Sequence, residues 1–159
     1  MLIRPLAPAD ADAYRALRLA GIAEMPSAFR TTHAAESAQP LSCLQQRLLP
    51  TRFQRLFGAF DGGELAGIAC FKREPIAVVH ECAIIWGVYV TPLARRAGVA
   101  RQLMLAALAH AATLTELKQL SLSVHPANSA AIALYLSLGF AFAQSGADEQ
   151  GEVQMTAPS

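Results

Sequence analysis

The sequence predicts a mixed α/β (α+β) chain in which a strongly twisted, mostly antiparallel sheet is flanked by helices. Three observations carry this expectation. Residues 53–61 and 64–73 are strand-like runs on either side of Asp61-Gly62-Gly63, whose glycines permit the positive φ of a hairpin turn. Residues 84–90 are an unbroken β-branched, aromatic and apolar run ended near Pro92, after which Val99, Leu103, Ala106, Ala107 and His110 fall at helical spacing. Residues 119–124 alternate Leu120, Leu122 and Val124, and a second helical pattern follows Asn128.

At 159 residues the chain suits one domain, residues 1–159, large enough to bury a core. A composition 53% hydrophobic and 16% charged excludes a disordered chain, and a formal net charge of +1 gives no electrostatic basis for binding nucleic acid or an anionic membrane. The three cysteines, Cys43, Cys70 and Cys82, form neither a disulfide framework nor a C-x-x-C metal site, so Cys70 and Cys82 are expected to be small buried hydrophobes in strands. The first residues reach Asp10 and Asp12 too soon for a signal peptide, and no apolar run approaches the ~20 residues of a membrane span. A soluble, cytoplasmic protein is expected.

In chain order, residues 2–6 read as a first strand and Pro8-Ala9-Asp10 as a turn with Asp10 capping a helix. Ala13, Leu17 and Ala20 line one face of that helix, which is expected to run to about Gly21. Residues 22–40 lose the period around Pro26 and Pro40 and read as a loop. Leu41, Leu44, Leu48 and Leu49 mark a second helix stopped by Pro50, and the hairpin follows. The run 76–90 is one bent strand or two pieces, and Gly87 inside it marks a bulge or a close approach. A helix over about 98–112 and the strand 119–124 come next. Ala131, Leu134, Tyr135 and Leu138 define the last helix, stopped at Gly139, and strands over 140–144 and 152–157 close the chain.

The join between the 84–90 strand and the following helix carries the chemistry. A helix N-terminus offers unpaired N–H groups and the positive end of the macrodipole, and both favour a phosphate. Gly98 leaves no Cβ in the way, and Arg95, Arg96 and Arg101 supply charge around the turn. Neither G-x-x-x-x-G-K-[ST] nor G-x-G-x-x-G occurs. What stands is Arg95-x-x-Gly98-x-Ala100 after a strand ending Val90-Thr91-Pro92, and this resembles the acetyl-CoA-binding motif of the GCN5-related N-acetyltransferases (GNAT). Asn128, Tyr135 and Gly139-Phe140, directly after a strand, resemble the second conserved block of that family, and the likeness covers essentially the whole chain.

The resemblance implies a sheet splayed at the central strand pair, with acetyl-CoA as co-substrate and no metal. The turn Arg95, Arg96, Ala97, Gly98, Val99, Ala100 and Arg101 would hold the pyrophosphate, and a bulge would let the backbone of Val88, Tyr89 and Val90 bond the pantetheine arm as an added strand does. Asn128 would cap its helix and bond the same arm. The irregular stretch before residue 40 would cover the acceptor site, with Phe29, Arg30 and Glu36 as candidates. The partner implied is an amine-bearing small molecule or peptide; a homodimer rests on the family alone.

Seven residues is close to two helical turns, so Asn128 and Tyr135 point to one face. In the family the tyrosine often protonates the departing thiolate, which makes Tyr135 the expected general acid. Only a neutral amine attacks a thioester, so a proton must be taken, and Glu81, on the strand leading into the motif, is the expected base, with His80, His125 and a water chain as rivals. Neighbours on a strand face opposite ways, so Glu81 and His80 cannot both serve. The oxyanion would meet a backbone N–H near Val88 or Tyr89. The histidines His33, His80, His110 and His125 lack zinc-ligand spacing, and no G-x-S-x-G nucleophile motif occurs. The expected activity is transfer of acetyl from acetyl-CoA to a primary amine by direct attack. The alternative is a non-catalytic acyl-CoA-binding or regulatory protein of the same fold.

Overall fold

The computed structural model describes residues 1–73 and 81–159. Within them the order is β1 (Leu2–Pro5), α1 (Ala11–Glu24), α2 (His33–Ser37), α3 (Leu41–Arg47), β2 (Gln54–Asp61), β3 (Glu64–Arg73), β4 (Cys82–Val90), α4 (Val99–Ala112), β5 (Gln119–Val124), α5 (Ser129–Ser137), β6 (Ala141–Ala147) and β7 (Val153–Pro158). The strands form one seven-stranded sheet in the order β1-β2-β3-β4-β5-β7-β6. Every pairing is antiparallel except β4 with β5, which is parallel. The parallel step is where α4 crosses over, as a parallel pair requires.

The period of two along β3 divides the interior. Ala69 and Phe71 face the core built on α4, while Ile68 and Cys70 face the one built on α1 and α3. Leu103 of α4 is fully buried over β3, so Leu103→Ala is expected to cost about 3–4 kcal/mol of stability, measured by denaturant unfolding. A cost under about 1 kcal/mol would mean that α4 can settle into the space. No helix among the described residues is long and apolar enough to cross a membrane.

Three sequence expectations need correction. The first helix continues through Ile22 to Glu24, because Gly21 and Ile22 are themselves buried against the sheet. The stretch 22–40 is not a plain loop: a single turn of 3-10 helix at Pro26–Ala28 precedes α2, whose cap Thr32 accepts a hydrogen bond from the Ala35 N–H. Cys82 is exposed, unlike Cys70. Ala83 and Ile85 face the α4 core, so Cys82 and Ile84 face the other way, where neither α1 nor α3 packs, and Ile84 is 46% exposed as well. The part of the 76–90 run before residue 81 lies outside the described residues.

Candidate functional site

The site begins with one glycine. Opposite β3, Ile68 pairs with Tyr89 but Cys70 pairs with Trp86, so Gly87 and Val88 share the single partner position of Ala69. This is a β-bulge, and its first residue, Gly87, has φ +61°. The extra residue changes the parity of the strand: Ile85 and Val88 contact the same core although they are three apart, and Trp86 and Tyr89 contact the other. The parallel ladder stops three residues before Gly87. Among the described residues, strands β4 and β5 pair at Cys82–Gln119, Ala83–Leu120 and Ile84–Ser121, and part beyond that point.

The gap between them is a cavity of about 550 Å³. One wall is the β4 backbone from Ile85 to Tyr89, the other is β5 from Leu122 to His125, and α5 closes one side with Asn128 and Tyr135. Peptide groups of β4 that would bond to β5 in a closed sheet face this gap unpaired, an edge able to accept an extended ligand.

At the open end of the gap the chain turns into α4. Arg96 has φ +62° and Gly98, the N-cap of α4, has φ +76°. Among the described residues the N–H groups from Arg96 to Arg101 have no acceptor, whereas Arg95 N–H bonds Pro92 O and Gln102 N–H bonds Gly98 O on either side. Six successive donors at a helix N-terminus form an anion-binding concavity. A Cβ built on Gly98 meets nothing within 4 Å, so the space in front of the turn is open and a side chain there would enter it.

The guanidinium of Arg95 is already engaged. Its Nε donates to Val90 O at 2.9 Å, and Nη1 and Nη2 reach the two oxygens of Glu24 at 2.8 and 2.9 Å. Tyr89 donates its hydroxyl to the same carboxylate at 2.6 Å. Arg95, and secondarily Tyr89, hold the Glu24 carboxyl below its usual range, while burial and the Glu24 charge push the Tyr89 phenol up to about 12. This cluster ties the end of α1 to the end of β4; nothing in the sequence linked Glu24 to residues so far along the chain. Arg101 bonds the Ser137 hydroxyl on α5 at 3.0 Å, which leaves the Arg96 side chain as the guanidinium of the turn with no hydrogen bond to the described residues.

Tyr135 is 6% exposed, and burial alone pushes its phenol up to about 12. It therefore keeps its proton throughout the neutral range and faces the gap as a donor. Asn128 caps α5, its Oδ1 accepting from the Ala131 N–H at 3.2 Å, and also lines the gap. Val88, Tyr89, Asn128 and Tyr135 are thus brought together, with the Arg96-to-Arg101 turn beside them; the Val90 side chain is turned into the α4 core.

Glu81 is not brought to this place. It precedes the closed end of the β4–β5 ladder, its carbonyl accepting from Lys118 and Gln119 N–H and its carboxylate paired with Lys118 at 3.0 Å. It lines neither the gap nor the cavity beside it. Glu81→Gln is therefore expected to leave kcat within about twofold; a loss of a hundredfold, the scale of a general base, would restore Glu81 to the chemistry. His125 borders the gap, with its Nδ1 accepting from the Ala127 N–H at 3.1 Å, so the neutral ring carries its proton on Nε2 and is not a ready base there. His80 lies outside the described residues. His110 is packed edge-on to Phe71 at 4.8 Å, and burial lowers its pKa. No group of three or more metal-ligating side chains occurs among the described residues.

A second cavity of about 760 Å³ lies on the α1 and α3 face and shares Phe29, Trp86, Gly87, Ser123 and Glu152 with the gap. Phe29, Arg30 and Glu36, the candidates from the irregular stretch, all line it. Glu152, read from sequence only as strand, borders both cavities while paired with Arg30 at 3.2 Å.

A family model described as the acetyltransferase (GNAT) family matches residues 21–140. Solved structures with the same fold include a ribosomal-protein-alanine N-acetyltransferase from Brucella melitensis, with 22% identity, TM-score 0.77 and 100% of both chains covered. The paia N-acetyltransferase of Thermoplasma acidophilum, solved in complex with coenzyme A, has 19% identity and TM-score 0.76, covering 99% of this chain and 98% of that one. An acetyltransferase of the GNAT family from Streptococcus pneumoniae gives 20% identity and TM-score 0.75, with 99% of each chain covered. No curated protein sequence matches.

Proposed function

The chain belongs to the acetyltransferase (GNAT) family, and we propose that it transfers the acetyl group of acetyl-CoA to a primary amine by direct attack. One observation carries this reading: among the described residues the β4 edge lacks a β5 partner beyond Ile84, and, past the bonded turn at Pro92–Ala94, six amides at a helix N-terminus lack acceptors. The first suits an amide-bearing chain such as pantetheine, and the second suits a pyrophosphate. Among the described residues no cysteine lines the gap: Cys70 is buried against Gly87, and burial pushes its thiol up to about 12.

In this reading the amides from Arg96 to Arg101, with the Arg96 side chain, take the phosphate oxygens. The peptide groups of Val88 and Tyr89, with Val90 at the mouth, bond the arm, and Asn128 bonds it from α5. The thioester then lies beside the bulge, where a backbone N–H near Val88 meets the developing oxyanion. The acceptor enters from the second cavity. Its ammonium group sheds one proton, and the neutral nitrogen attacks the carbonyl carbon, forming C–N. The C–S bond breaks, the thiolate takes the proton of Tyr135, and one of the two protons on nitrogen restores the phenol while the other stays as the amide N–H. A phenol near 12 is a weak acid, but the same dry surroundings raise the pKa of the thiol it must serve, so the two stay close enough for transfer. Glu152, which borders both cavities and is paired with Arg30 at 3.2 Å, would take the first proton by exchanging that pairing for the ammonium.

The test is calorimetric titration with acetyl-CoA, with NAD and ATP as controls, followed by release of free CoA thiol in the presence of amines. Saturable binding of acetyl-CoA alone, with thiol release dependent on an amine, is expected. Binding with no turnover on any amine would favour a non-catalytic acyl-CoA-binding protein, and no binding would leave the cradle as a feature of the fold only.

A further inference from the structure

The floor of the second cavity holds an unusual cation. Arg18 is 6% exposed, and its Nε donates to Glu36 at 2.8 Å. Neither terminal nitrogen has a hydrogen-bond acceptor among the described residues, and Nη1 is wholly enclosed. The guanidinium is boxed by the rings of Tyr14, Phe29 and Trp86, 5.4–5.8 Å from their centroids. The indole N–H of Trp86, which lines the same cavity, is also buried without an acceptor.

Charge counts in the same direction. Glu36 is the carboxylate that faces Arg18, and it is shared with Arg47, whose Nη1 lies 3.3 Å away, so two guanidinium groups meet one carboxylate in a buried place. A buried charge without a full partner is costly, and buried donors left without acceptors are costly too. Both defects are removed by one kind of ligand group, an anion with two in-plane acceptor oxygens. Position narrows it further. Arg18 Nη1 lies 3.7 Å from where a Cβ on Gly87 would sit, directly beneath the bulge at which the strands part. Glu152, paired with Arg30 at 3.2 Å on the same cavity, carries the opposite charge and borders the gap as well.

We infer that the acceptor is a free amino acid, whose carboxylate is received by Arg18 and the Trp86 indole N–H while its amino group faces the gap beside Glu152. The inference rests on the acetyl-transfer reading for the identity of the amine as the reacting group. The proximity of Arg18 to the bulge allows only a short separation between carboxylate and amine, which favours an α-amino acid over a long ω-amino acid.

The experiment has two arms. In the first, CoA release is followed with a panel of free L-amino acids, their carboxamides, simple alkyl amines and peptides. In the second, the protein saturated with CoA is titrated calorimetrically with N-acetyl amino acids and with the matching N-acetyl amides, which needs no turnover. Free acids are expected to exceed their amides at least tenfold in kcat/KM and in product affinity. Trp86→Phe, which keeps the ring and removes the N–H, and Arg18→Lys, which keeps the charge and removes the fork, should each shrink that ratio, mainly through KM. Turnover of amides, alkyl amines or peptide N-termini as good as that of free acids would overturn the inference and leave acetyl transfer standing. Preference for N-acetyl acids with no turnover would support the carboxylate site while sinking the transfer reading. Binding of CoA with no affinity for either product would overturn the carboxylate site.

Discussion

Replacing Gly98 by glutamate is expected to lower the affinity for acetyl-CoA by at least a hundredfold while leaving the protein folded. The new Cβ meets no atom within 4 Å, so the folded chain has room for it. The φ of +76° costs a non-glycine residue only about 1–2 kcal/mol. The carboxylate, however, would stand in front of the six free amides from Arg96 to Arg101 and take the bonds meant for phosphate, with the helix dipole favouring it there. It would also repel the pyrophosphate. Calorimetry reads the affinity and thermal unfolding the fold; unchanged affinity in a folded variant would remove the pyrophosphate from this turn.

Tyr135→Phe is expected to lower kcat by about 10²–10³-fold with little change in acetyl-CoA affinity, the scale of a lost general acid. The ring packs near Phe140, 6.2 Å between centroids, and phenylalanine preserves that contact. The pH dependence gives a second check. A phenol raised to about 12 is protonated, and so competent, at every pH below that value. Activity should therefore climb as the acceptor amine loses its proton and show no fall from tyrosine ionisation up to about pH 11. A descending limb near pH 10 that vanishes in the phenylalanine variant would mean that the phenol is not desolvated. Wild-type turnover in Tyr135→Phe would take this residue out of the chemistry.

Local signals in the sequence reached far into this structure, and their limits follow distance along the chain. Asp61-Gly62-Gly63 is a turn that needs no distant partner, and Asn128 caps the helix beside it, so both read directly. Gly87 was legible as a break in a buried strand, because a bulge demands a residue able to adopt positive φ. The stretch 22–40 was not. What orders it comes from elsewhere: Glu36 is held by Arg18 and Arg47, and Phe29 lies against Tyr89 at 6.1 Å. Arg95 illustrates the same limit in the site. Its spacing to Gly98 marked the motif, yet its guanidinium clamps Glu24, a residue 71 positions away. Glu81 shows the converse, since a residue close to a motif in sequence sits in the turn before β4, past the three ladder pairs at its closed end.

Those three pairs divide the molecule mechanically. On one side β1 to β4 form a continuous antiparallel half-sheet, on the other β5, β7 and β6 form a smaller one, and among the described residues the ladder between them is Cys82–Ile84 against Gln119–Ser121. The core beneath the seam is nevertheless shared, since α4 packs with residues of β2 to β5, α5 and β7 in one cluster. A ligand strand laid into the gap would extend the ladder toward Val90 and stiffen the joint, so that occupancy becomes part of the architecture. By mass action, a ligand at a hundred times its Kd adds about 2.7 kcal/mol to the folded state. Because one core cluster runs under both halves, that extra free energy is held by the molecule as a whole, with the bound arm supplying the cross-sheet hydrogen bonds that β5 does not.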